Sequence, residues 1–112
     1  MTTQLHNELL RLDDLLLTTV DQTLGQIFKE DGNKAIYDFI EKNCCLKRGD
    51  IIAKPEDFSA CLKKLLGSGA PVIERLMLEN FHSALGLTFE EKAGCSFSYY
   101  INELREKRLE KQ

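Results

Sequence analysis

Glu79 and His82 stand three residues apart, the spacing that puts two side chains on one face of a helix and supplies half of a carboxylate-bridged di-metal centre. A complete centre needs a second such pair and two further inward glutamates. No second E-x-x-H occurs in the chain, so a metal would need a two-fold axis through this one. The plainer reading is a surface histidine beside a surface glutamate, with no metal. The four cysteines, Cys44, Cys45, Cys61 and Cys95, contain no C-x-x-C spacing. Neither His6 nor His82 is linked to any of them by a nucleophile–base signature. Adjacent cysteines rarely pair, so all four are expected as reduced, partly buried thiols. Asp13–Asp14 and Glu90–Glu91 are sequence neighbours, which on a helix point about 100° apart and share no proton. Gly67–Ser68–Gly69–Ala70 offers backbone amides ahead of a helix. No strand precedes it and no GK[ST] follows, so it reads as a helix stop followed by a helix start. No catalytic residue, cofactor or metal is expected, and the chain reads as a non-enzyme.

The remaining chemistry is electrostatic. Lys47, Arg48, Lys54, Lys63 and Lys64 gather in one stretch and form the nearest approach to a nucleic-acid patch, though Asp50, Glu56 and Asp57 dilute it. The formal charge of −3 and pI near 5.4 oppose broad binding to nucleic acid or anionic membranes. No apolar run reaches bilayer length, and MTTQLHNELL lacks the pattern of a secretory signal. A cytoplasmic location is the expectation.

These residues must be positioned by helices. With 43% apolar and 29% charged residues, seven Gly and two Pro in 112 residues, the chain has the composition of one globular domain, residues 1–112. Its periodicity is helical throughout, which predicts an all-α fold of four to five helices led by a long N-terminal one. That first helix is expected over residues 1–29, from about Thr3 to Lys29, with Asp31–Gly32 as the stop. It carries two apolar stripes, Leu5, Leu9, Leu12 and Leu16, and Leu10, Leu17, Val20, Leu24 and Ile27. The domain core is expected to cover one, and a second copy of the chain the other, making Leu10, Leu17, Val20, Leu24 and Ile27 a homodimer interface. Such a helix would be about 40 Å long, against about 34 Å for a globule of this size. It must therefore overhang or break near Thr18–Thr19.

The helical core should occupy residues 33–104. Asn33 to Asn43 forms a helix with Ile36, Phe39 and Ile40 inward, and the connector of residues 44–54 plugs Ile51 and Ile52 into the core. Pro55 opens a helix that ends at Gly67, and Pro71 opens the next, which ends at Gly86. Phe58, Leu62, Leu65, Ile73, Leu76, Met77 and Phe81 are expected as one buried cluster. A loop of residues 87–94 lays Leu87 and Phe89 on the core, and Ser96 or Ser98 caps a last helix through Phe97, Tyr100, Ile101 and Leu104.

From Val20 to Leu87 the segments VDQTLGQIF, KAIYDFIEKN, PEDFSACLKKLLGSGAPVIERLML and FHSALGLTFEE resemble small archaeal signal-transduction output domains of the Nitrosopumilus output type. The shared phrase is Pro55, Phe58, Leu62, Leu66, Gly67, Gly69 and Ala70. Ile-Ile-Ala at 51–53 stands where that pattern has Ile-Pro. The resemblance implies a non-enzymatic module at the receiving end of a signalling pathway, in an archaeal cytoplasm, with another signalling protein as partner. The second reading is a small transcription regulator using the basic residues around 47–64.

Overall fold

Lys29 decides the shape of the N-terminal third of the chain. The computed structural model describes the backbone of residues 2–110 and the side chains of residues 11–107. Its first element, α1 (Thr2–Cys44), contains one residue off the helical track, Lys29, at φ 61° and ψ −176°. There the chain turns back on itself. The Asn33 side-chain amide donates to the Asp21 carbonyl at 3.3 Å, and the Tyr37 hydroxyl donates to the Asp21 carboxylate. On a straight helix these partners would lie about 18 and 24 Å apart. Residues 2–28 and 30–44 are thus two arms of a tight hairpin. Gly32 makes the corner passable, because a Cβ there would sit 2.6 Å from the Phe28 Cβ.

The first arm does not break at Thr18–Thr19. Thr19 and Thr23 are buried in mid-helix, and each hydroxyl donates to the carbonyl four residues back, Leu15 and Thr19, both at 2.8 Å. This satisfies the hydroxyl without leaving the helix. At about 1.5 Å per residue the arm spans about 40 Å, the molecule's own long axis of 40 Å. The chain therefore accommodates its long helix by elongating.

After the hairpin, α2 (Asp50–Ala53) sends Ile51 and Ile52 inward, and Asp50 accepts the Lys47 amide at 2.9 Å. Pro55 occupies the first turn of α3 (Pro55–Leu66), with Glu56 and Asp57 at the positive end of its dipole. Gly67 closes it at φ 58°, as its sequence position predicts, and a 3-10 turn over Gly67–Gly69 delivers Pro71 into the first turn of α4 (Ala70–Ala84). Gly86, at φ 73°, ends α4 in a Schellman motif: its amide returns to Ser83 at 3.0 Å and that of Leu87 to His82 at 2.7 Å. Ser96 accepts the Tyr99 amide at 3.2 Å, capping α5 (Phe97–Glu110). No strand occurs among the described residues, and the all-α expectation holds.

One core joins these elements. Leu16, Leu24, Ile40, Ile51, Phe58, Leu62, Met77, Phe81 and Ile101 are fully enclosed, and Phe97 packs between Phe58 and Phe81 with centroids 5.9 and 6.3 Å away. Of the predicted cluster, Leu65 and Leu76 are only partly buried. Leu78 takes the inward place expected of Leu76, because α4 turns the face of Ala70, Ile73, Met77 and Phe81 to the core.

Three expectations are corrected. Leu17, Val20 and Leu24 are 7, 0 and 0% exposed, so they are core and not a two-fold interface. Leu12 and Leu16 of the other stripe are buried as well, so among the described residues the chain covers members of both stripes itself, with α3, α4 and α5 packed on α1; Leu5 and Leu9 lie outside the described side chains. Ile27, at 37%, remains outside, and the Leu10 side chain lies outside the described residues. Second, the first helix ends at Lys29 as expected, but Asp31–Gly32 is not the stop: the helix resumes after that one residue, and Asp31 and Gly32 lie inside the second arm, which runs to Cys44. Third, Cys44 and Cys61 form a disulfide across 17 residues, tying the end of the hairpin to α3. The sequence pattern missed it because Cys45 hides the pairing of its neighbour. Cys45 and Cys95 are free thiols.

Candidate functional site

Three sets of polar groups converge in the fold. The first is a clasp on Asp21 of the first arm. Arg48 approaches this carboxylate with Nη2 at 2.6 Å and Nε at 3.2 Å, while Tyr37 donates from the second arm. Burial alone would raise the Asp21 carboxyl, but the Arg48 and Tyr37 hydrogen bonds outweigh it and hold the group below its ordinary 3.8. Burial first, and then the Asp21 charge, push the Tyr37 phenol above its ordinary 10.0. The clasp links both arms to the connector before α2. Every member is satisfied by another, which gives it a structural role.

The second set surrounds the segment between α4 and α5, residues 85–96. Phe89 anchors that segment, its ring 5.2 Å from both His82 and Tyr100. The Lys92 amide donates to the Tyr100 hydroxyl at 2.7 Å, which donates back to the Lys92 carbonyl at 3.1 Å. Lys92 also meets Glu103 at 3.2 Å, and Glu91 meets Arg75 at 3.1 Å. So clasped, the segment roofs a cleft of about 170 Å³ walled by Glu74, Leu78, Phe89, Cys95, Phe97 and Tyr100, with Pro71, Arg75 and Glu91 at its edge. Glu74 is half-buried and its carboxylate accepts one hydrogen bond, from the Ser59 hydroxyl at 2.8 Å. Burial pushes its carboxyl above the ordinary 4.5, with Ser59 opposing. A second cleft of about 140 Å³ lies across Tyr100, lined by His82, Glu90, Glu103 and Lys107 among others.

The third set is the basic stretch. Arg48 spends its charge on Asp21. Lys47, Lys54, Lys63 and Lys64 are exposed, and the last two share a helix face with acidic residues. The outward face of α3 reads Glu56, Asp57, Ala60, Lys63, Lys64, acidic at one end and basic at the other. That is the polarity which complements a helix dipole.

The E-x-x-H pair separates. Glu79 is exposed and bonded to Arg75 at 3.4 Å, whereas His82 is buried with Nδ1 2.7 Å from the Leu78 carbonyl. The carbonyl can only accept, so Nδ1 carries the proton. His82 is therefore not the surface histidine its sequence position suggests. Among the described residues no group of three or more His, Cys, Asp or Glu side chains could hold a metal ion, and no described helix is long and apolar enough to cross a membrane. The roofed cleft was invisible in the sequence. Its walls come from α4, the segment 85–96 and α5, and the local hint was an aromatic, Phe89, beside the charged run Glu90, Glu91 and Lys92.

The fold is an all-α single domain whose recesses include the two small clefts beside residues 85–96 and a wider, shallower one of about 480 Å³ at the hairpin corner, lined by Glu30, Asp31, Asn33, Lys34, Tyr37 and Asp38. The chain matches no family model, no curated protein and no solved structure.

Proposed function

We propose that this protein is a non-enzymatic protein-interaction module that docks a partner segment at the cleft roofed by residues 85–96. The size of that cleft carries the reading. Sites for small molecules and cofactors enclose about 300–1,000 Å³, and this one offers about 170 Å³, near the roughly 150 Å³ that admits a single benzene-sized group. A recess of that size, with aromatic walls and a charged edge, suits one anchoring side chain of a protein partner. The resemblance to archaeal output domains favours a signalling partner. A cytoplasmic setting rests on the sequence pattern alone, since a Cys44–Cys61 disulfide is at home in an oxidising compartment or inside hyperthermophiles.

The test is to pan a random-peptide library over the immobilised, disulfide-intact chain and map selected peptides by amide chemical shifts. Peptides that move the amides of residues 74–78 and 89–100 support the reading. No enrichment, or peptides that map elsewhere, overturns it.

A further inference from the structure

The charges around the cleft do not balance. Arg75, the one cation among the described residues lining it, is bonded to two carboxylates, Glu79 at 3.4 Å and Glu91 at 3.1 Å. Glu74, deeper in the wall, receives only the neutral Ser59 hydroxyl. A half-buried carboxylate with one neutral donor lacks compensation for the water it has lost. The surface around it is aromatic, with Phe89, Phe97 and Tyr100 forming walls that suit the methylene stem of a long cationic side chain and attract its charged head.

We propose that the cleft receives a basic side chain, arginine or lysine, from a partner polypeptide, with Glu74 as its charge partner. This rests on the docking reading above and names what docks. A polypeptide fits better than a free cation. Pro71, Glu74, Arg75 and Leu78 line the cleft from one face of α4, and Val72, beside that face, is 67% exposed. It is an apolar contact that a passing chain would cover and a small cation would not.

The experiment follows amide shifts of the full, disulfide-intact chain with three probes. These are a capped pentapeptide Ala-Ala-Arg-Ala-Ala, the same peptide with citrulline, the neutral isostere of arginine, and ethylguanidinium alone. The arginine peptide should shift residues lining the cleft and bind about ten-fold more tightly than the citrulline peptide, the ratio expected when a charge-assisted hydrogen bond is lost. Glu74→Gln should erase that preference, while Glu106→Gln, a surface change on α5, should leave it intact. Equal binding of the arginine and citrulline peptides at the cleft, or a preference that survives Glu74→Gln, overturns the proposal and leaves the docking reading standing. Ethylguanidinium binding as tightly as the peptide also overturns it, since the site would then serve a free cation. If no probe moves the cleft, the proposal falls. The library selection then shows whether the docking reading falls with it.

Discussion

Lys29→Gly should make this protein more stable, although glycine inside a helix ordinarily does the reverse. Lys29 holds φ 61° with ψ −176°, a region occupied almost solely by glycine because a Cβ crowds the neighbouring carbonyls there. Holding another residue in it costs about 1–3 kcal/mol. Removing the Cβ recovers that strain, less about 0.4–1 kcal/mol for the freedom glycine adds to the unfolded chain. The net gain should be about 1 kcal/mol, or about 4 °C in Tm for a domain of this size. Lys29→Ala serves as the control, since it removes the exposed side chain but keeps the Cβ, and should stay within about 0.5 kcal/mol of wild type. Urea and thermal unfolding followed by circular dichroism, with the disulfide intact, would read all three proteins. The refuting pattern is the one expected of a continuous helix: alanine neutral or stabilising, and glycine destabilising by about 0.5–1 kcal/mol. That outcome would mean that residues 2–44 do not turn back at Lys29.

Reduction of Cys44–Cys61, which closes a loop of 17 residues, should lower stability by about 3 kcal/mol. Alkylation before and after reduction should count two and then four thiols by mass spectrometry. Leu17→Glu should unfold the chain instead of yielding a folded monomer, because the position is core. A variant with native circular dichroism and a smaller mass by light scattering would restore the interface reading. Two carboxylates should give opposite pH dependences. Glu74, raised in the fold, contributes stability that is complete below 4.5 and lost as pH rises through its folded pKa, so Glu74→Gln should exceed wild type at neutral pH and lose that lead in acid. Asp21, lowered in the fold, contributes stability that is present above 3.8 and lost as pH falls through its folded pKa, so the deficit of Asp21→Asn should vanish in strong acid. Denaturation curves across pH 2–8 check both signs; matching slopes for the two variants would refute the assignment.

Much of this fold can be read from punctuation. Pro55, Gly67, Pro71 and Gly86 mark α3 and α4 because each residue type suits one end of a helix for a local steric reason. What escaped was decided by contacts distant in sequence. The end of the first arm at Lys29 was legible, but not that a single residue there would reverse the chain. The glycine that signals a stop, Gly32, instead makes room for Phe28 three residues past the corner. Two apolar stripes on one helix were legible, but not that the same chain would supply both covers. Leu76 and Leu78 are equally apolar, and only the packing of α4 chooses between them. The cleft depends on where residues 85–96 settle, and no periodicity specifies that.

The distribution of ties along the molecule has a kinetic consequence. The disulfide and the Asp21 clasp both secure the chain before α4, spanning 17 and at most 27 residues. The first arm and α5 are joined by Arg105 to Asp13 at 3.3 Å across 92 residues, and both Asp13 Oδ1 and Arg105 Nε are buried there without a partner. A closure across so many residues is slow to form, and what holds α5 in place among the described residues is the packing of Phe97, Tyr100, Ile101 and Leu104 and not a covalent or strong ionic tie. The segment 85–110 should therefore detach as a cooperative unit while the hairpin and α3 stay folded. In native-state hydrogen exchange the amides of α5 would then open at lower free energy than those of α3, and equal values would count against separate units. The recess behind Phe89 lies on that seam. If exchange confirms the seam, opening along it would widen the recess while the hairpin and α3 stay folded.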